Sequence, residues 1–212
     1  MAGDAKAVSE FTGDIIAFMK NNLVVAPITQ TKEYGRAMGM TLIDITPISA
    51  KDAITSNPVN VYCLRPAEEG DPIIPIYICD YQGGNICYQV LSDEADYCFT
   101  YAMDGCTFSV GTANGSGDVM VSHANSANLT EDIQGWDTAT QQEKQTMMAN
   151  SLHNSSVQGM LQPDTYRPNG QKVSTTFGVR KNGAWTFHYL SYLVTKKKFP
   201  CEYAHHGVHQ FV

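Results

Sequence analysis

The sequence predicts an α+β fold: a largely antiparallel β-sheet or sandwich with flanking helices. Three observations point that way. Short runs rich in Val, Ile, Tyr, Phe and Thr recur between residues 41 and 195, and β-branched and aromatic residues suit the pleated, half-buried surface of a strand. Tight-turn pairs divide those runs at Gly83-Gly84, Asn114-Gly115 and Asn182-Gly183, the residue types that two-residue hairpin loops require. Apolar residues at helical spacing fall in two stretches, near the N-terminus and after residue 138. Helices therefore pack beside the sheet and do not alternate with its strands.

The elements follow in order. Residues 5–22 form the first expected helix, with Val8, Phe11, Ile15, Phe18 and Met19 on one stripe and Asn21-Asn22 as its stop. Thr41–Ile48 alternates as a strand that Pro47 ends or marks as an edge. Ser49–Asp52 has the look of an N-cap with an acidic first turn, which predicts one helical turn. Asn60–Leu64 and Ile73–Cys79 are strands on either side of an acidic turn. Gly83-Gly84 joins Ile76–Asp80 to Ile86–Leu91, and Asp96–Tyr101, Cys106–Gly111 and Val119–Asn125 extend them into a meander.

A polar connector over residues 128–137 precedes a second helix, Thr138–His153. Its stripe is Ala139, Met147, Met148 and Leu152, the methionines filling gaps against the sheet. Residues 154–171, rich in Ser, Pro, Gly, Asn and Gln, read as a long loop and a candidate lid. Val173–Arg180 and Ala184–Thr195 close as a hairpin about Asn182-Gly183, with His188 as a satisfied sheet residue. The His-containing end from Cys201 to His209 matches no zinc-ligand spacing and reads as an ordinary tail.

With 212 residues, 43% hydrophobic and 17% charged, the chain suffices for one well-buried core, a single catalytic domain over residues 1–212. A formal net charge of −7 argues against a nucleic-acid surface, which carries a basic stripe. No apolar run reaches the ~18 residues of a membrane span. The start, MAGDAKAVSEFTG, has no basic region leading into an apolar core, so no cleavable signal peptide is expected. The six cysteines form no CxxC pair and are expected as reduced thiols, with Cys106 alone as a chemical group.

Chemistry concentrates around Asn114-Gly115. A two-residue loop there sets Val110 against Val119, Phe108 against Val121 and Cys106 against His123. Cys106, Phe108, Val110, Val119, Val121 and His123 then share one face, while Thr107, Ser109, Met120 and Ser122 take the other. Directly opposed side chains have Cβ atoms roughly 4.5–5.5 Å apart, so a thiol meets an imidazole at the open end of the hairpin. That is the minimum for a thiol nucleophile with its base. Gly105, before the cysteine, lets the backbone turn sharply and aim its N–H groups.

The run Phe99–Cys106, FTYAMDGC, followed by a strand, a Gly-rich turn and a strand ending in His, resembles the catalytic segment of Burkholderia lethal factor. It is similar, more distantly, to the cytotoxic necrotizing factors and the chemotaxis glutamine deamidase CheD. The resemblance implies a necrotizing-factor-like catalytic fold and an active site of Thr100, Cys106 and His123. Backbone N–H groups of Gly105 and Cys106 would form the oxyanion hole. It further implies a protein-glutamine deamidase toxin that needs no cofactor. Such a toxin acts as a monomer in a host cytosol on a host protein: a translation-initiation helicase first, a Rho-type GTPase as the alternative. The family motif reads Leu-Ser-Gly-Cys where this chain has Met103-Asp104-Gly105-Cys106, and a carboxylate beside a thiol disfavours the thiolate. A further echo is DTYRP, Asp164–Pro168. The residues by themselves leave open a cysteine protease or acyl transferase using the same dyad, and a silent binding module.

Overall fold

The computed structural model describes residues 2–25, 35–45, 49–126, 138–168, 172–196 and 201–212. The polar connector over 128–137 and the strand end at Pro47 lie outside them.

The N-terminal stripe is buried as expected, but on two helices, α1 (Ala5–Gly13) and α2 (Ile15–Asn21). Asp14 breaks the run. Its backbone is extended and its carboxylate accepts from Ala17 N at 2.9 Å, so it caps the second helix as Asp4 caps the first. Among the described residues nine strands follow before the next helix: β1 (Asn22–Val25), β2 (Met38–Asp44), β3 (Ser49–Asp52), β4 (Pro58–Pro66), β5 (Ile74–Cys79), β6 (Ile86–Leu91), β7 (Tyr97–Thr100), β8 (Thr107–Gly111) and β9 (Val119–Ala124). Then come α3 (Thr138–Leu152), β10 (Val157–Leu161), α4 (Pro163–Tyr166), β11 (Lys172–Lys181), β12 (Ala184–Lys196) and β13 (Glu202–Gln210).

The α+β class holds, and the sheets close further than the sequence implies. Strands β4-β2-β5-β7-β11-β12-β13-β3 form a closed eight-stranded barrel, with β1 added on β4. Closure removes the free edges that an open sheet leaves. Three pairings in this sheet are parallel: β1 with β4, β5 with β7, and β13 with β3. A second, antiparallel sheet runs β10-β8-β9-β6.

Several expectations change. The Ser49–Asp52 turn is strand β3, after which the Asp52 carboxylate accepts from Ile54 N and Thr55 N. The Gly83-Gly84 hairpin does not form. Both edges of β5 are taken by β2 and β7, so the chain leaves the barrel and β6 pairs with β9 in the other sheet. The loop over 154–171 contains β10 and α4. The His-containing tail is β13, whose buried His205 places Nε2 3.0 Å from Met19 O. Asn182 and Gly183 have φ of 53° and 79°, as a type I′ hairpin between β11 and β12 requires.

Two apolar cores result. One gathers α1, α2 and one face of the barrel strands around Phe11, Phe18, Ile76, Phe99, Phe177 and Leu190. The other fills the seam between the sheets, where Cys106, Phe108, Val110, Val119 and Val121 meet Tyr77, Cys98, Trp185 and Phe187. The second sheet's opposite face is polar, and it is covered by Gln145 and Ala149 of α3 and by His153 just past its end, not by the expected methionine stripe; Met147 is 65% exposed. Gln145 accepts from Thr107 Oγ1 at 2.7 Å, and His153 Nε2 lies 2.9 Å from Ser109 Oγ. No helix among the described residues is long and apolar enough to cross a membrane.

Candidate active site

The site lies at one end of the seam, at the ends of β5, β7 and β9 and the start of β8. Its first part is the loop before β8. Gly105 has φ of 106°, a conformation that L side chains rarely adopt. The loop is held from three sides. Tyr166 Oη accepts from Gly105 N at 2.8 Å and donates to Cys106 O at 2.9 Å. Gln145 Nε2 donates to Gly105 O at 2.9 Å. Arg167 forms an ion pair with Asp104. The DTYRP segment is therefore the clasp of the cysteine loop, with its tyrosine on the backbone and its arginine on the Asp104 carboxylate. Tyr166→Phe would leave the Gly105 N–H and Cys106 C=O without this partner. The expected loss is about 1–3 kcal/mol of stability, read from denaturant unfolding.

The hairpin register differs from the expected one by two residues. Phe108 opposes His123 and Val110 opposes Val121. The connection is longer than a two-residue turn: Asn114 N donates to Asp118 O at 2.9 Å. The Asn114 carboxamide oxygen accepts from Ser116 N and Asp118 N at 2.9 Å each. Within it Gly117, and not Asn114 or Gly115, has positive φ. A shift of two keeps every side chain on its face. Cys106 and His123 stay on the seam side but sit diagonally, a spacing of roughly 7–8 Å between backbones that side chains can span.

His123 is fully buried. Its Nδ1 lies 2.6 Å from Thr100 Oγ1, and Thr100 Oγ1 donates to Cys79 O at 2.9 Å. A hydroxyl has one proton. With that proton directed to Cys79 O, the oxygen accepts from His123 Nδ1–H, which leaves Nε2 as the nitrogen with the lone pair. Nε2 makes no hydrogen bond with any described residue, Cys106 included. Hydrogen bonds of this kind are often open in resting enzymes and tighten with substrate.

Burial governs both ionisations. It pushes the Cys106 thiol up to about 12, with the Asp104 carboxylate adding to the rise. Hydrogen bonds from Asn125 and from the Asp104 backbone, and the Arg167 charge, oppose it. Burial lowers the His123 imidazole to about 3. Thiol and ring are both neutral across the physiological range. The unfolded ring titrates near 6.5, so the unfolded state binds the extra proton as pH falls. Stability from this residue is therefore lost between pH ~6.5 and ~3, by at most ~1.4 kcal/mol per pH unit. His123→Gln should flatten the dependence of unfolding free energy on pH between 7 and 4.5, read from denaturant midpoints.

Two further side chains complete the pocket. Asn125 Nδ2 donates to Cys106 Sγ at 3.3 Å and to Tyr81 Oη at 3.0 Å. The Tyr81 ring lies 5.3 Å from the His123 ring, tilted by 56°. Asn125 stands two residues beyond His123, so strand alternation alone aims it at the same face. Tyr81 and Gln145 carry no such local signal, since the chain's path brings them in. Of the two expected oxyanion donors, Gly105 N–H is committed to Tyr166 Oη.

Thr100 and His123 thus meet directly, Cys106 is linked to the His123 ring through Asn125 and Tyr81, and Gly105 shapes the loop before the cysteine. Cys63, Cys79, Cys87, Cys98 and Cys201 are free thiols like Cys106. Among the described residues no group of three or more His, Cys, Asp or Glu is arranged to hold a metal ion. No protein-family model matches the chain, and a search of curated proteins finds no similar sequence.

Proposed function

We propose that this protein is a thiol-dependent protein-glutamine deamidase. The observation that carries the reading is the Thr100 hydroxyl, which accepts from His123 Nδ1–H and leaves the Nε2 lone pair without a hydrogen bond to any described residue, on the strand face that Cys106 also takes. That is the arrangement a thiol nucleophile and its base need. The DTYRP echo stands beside the Phe99–Cys106 run in the resemblance to Burkholderia lethal factor and the necrotizing factors, and that likeness extends to the catalytic fold as part of the same proposal.

His123 Nε2 takes the thiol proton as Cys106 Sγ bonds to the carbon of the glutamine side-chain amide. The resulting oxyanion is met by N–H donors around the sulfur. The imidazolium returns the proton to the amide nitrogen, the C–N bond breaks and ammonia leaves. Water then gives a proton to Nε2 and attacks the thioester, the C–S bond breaks, and the thiol is restored beside a new glutamate. A carboxylate in place of an amide adds a negative charge that disables an interface through repulsion and desolvation. By resemblance, the target is a host translation-initiation helicase, with a Rho-type GTPase second, and the protein acts as an effector in the host cytosol.

Peptide mapping of a host lysate treated with the wild type or with Cys106→Ser tests the reading. A Gln-to-Glu change at a defined site, present with the wild type alone, is the expected result. Peptide cleavage or amine incorporation at a glutamine would assign the dyad to a protease or acyl transferase. No covalent change in any protein would assign the fold to binding.

A further inference from the structure

The pocket is closed. Cys106 is 5% exposed, Asn125 7% and His123 0%, whereas Tyr81, which lies over the imidazole, is 38% exposed. Tyr81 sits on the connection between β5 and β6. The connection turns through Gly84 at φ 73° and is tied to the site by Asn125 N donating to Asn85 O at 2.9 Å. The Tyr81 hydroxyl accepts from the same amide nitrogen that donates to the sulfur. A primary amide has two hydrogens, so Asn125 holds one oxygen and the sulfur side by side. An amide substrate under attack by Cys106 presents the same pair, a carbonyl oxygen next to the sulfur.

We propose that Tyr81 is a gate whose hydroxyl occupies the place of the substrate's amide oxygen, and that its displacement hands the Asn125 Nδ2–H to the oxyanion. The proposal rests on the amide-hydrolase reading above. It supplies the donor that Gly105 does not offer, since Gly105 N–H is held by Tyr166. It also accounts for the neutral resting pair. A thiol at about 12 and a ring at about 3 do not exchange a proton while Tyr81 covers them, and opening the gate lifts the burial that sets both values. A covered pocket further selects its substrate class: a glutamine on an extended, exposed segment that reaches past the tyrosine.

The first test is alkylation of Cys106 by iodoacetamide in the full chain, followed by peptide mass spectrometry. Tyr81→Phe keeps the ring and loses one hydrogen bond, and should speed labelling about fivefold. Tyr81→Ala should speed it by roughly tenfold or more, because the closed state loses ring cover as well. Tyr88→Phe, on the opposite face of β6, serves as the control at the wild-type rate. Equal rates for wild type and both Tyr81 variants would overturn the gate. The second test is Asn125→Ala on the deamidation reaction, where kcat should fall by about 10²–10³ with little change in KM. A loss confined to KM would overturn the donor role. Faster labelling of Tyr81→Phe together with no Gln-to-Glu conversion by the wild type would keep the gate and refute the deamidase reading.

Discussion

Cys106→Ser should reduce glutamine-to-glutamate conversion by at least about 10³, with the fold retained. The size of the loss follows from the pocket. Burial keeps the resting thiol and imidazole both neutral, so the nucleophile must give up its proton to His123 as it attacks. Sulfur meets that condition. A serine hydroxyl, far less acidic, does not. The substitution is nearly isosteric, Tyr166 and Gln145 hold the loop through backbone atoms of Gly105 and Cys106, and a serine oxygen can still accept from Asn125 where the sulfur does. Ammonia release reads the loss, and an unchanged denaturation midpoint shows that it is chemical.

Thr100→Val is the second large effect. Valine keeps the shape and removes the one acceptor for His123 Nδ1–H. The ring is then free to take the other tautomer, with Nε2 protonated and unable to act as base. A misdirected tautomer costs on the order of 10²–10⁴ in kcat in a hydrogen-bonded triad. Thr100→Ser restores the hydroxyl and should return the rate to within about tenfold of wild type. A merely structural role would lower the activity of both variants in proportion to their stability. The contrast between valine and serine separates the two, and unfolding midpoints measured beside kcat provide the check.

Which parts of this were legible in the chain depends on the range of the forces involved. Strand alternation put Cys106 and His123 on one face, and that survived a register error because a slip of two residues preserves facing. The error came from reading Asn114-Gly115 as a two-residue turn. The Asn114 side chain instead caps a longer loop, a choice that depends on how β8 and β9 pair with β10 and β6. At Asn182-Gly183 no such competition arises, and the same dipeptide makes the turn that its φ preferences favour. Barrel closure was not legible because it depends on parallel pairings between distant segments, such as Ser49–Asp52 with β13. The clasp by Tyr166 and the cover by Tyr81 join residues about 60 and 40 positions from those they touch, and local pattern is silent at that range. The buried face of α3 departs from its apolar pattern for a related reason. A polar sheet face calls for Gln145 and His153, where an apolar one would have called for the methionines.

The central physical claim is that Thr100 fixes a neutral His123 with its proton on Nδ1 and its lone pair on Nε2. Nitrogen-15 NMR of the imidazole in the intact protein measures this directly. The expected result is an Nδ1–H tautomer that stays neutral on lowering the pH and titrates near 3, with that tautomer lost in Thr100→Val. An Nε2–H tautomer in the wild type, or titration near the unperturbed value of about 6.5, would contradict it.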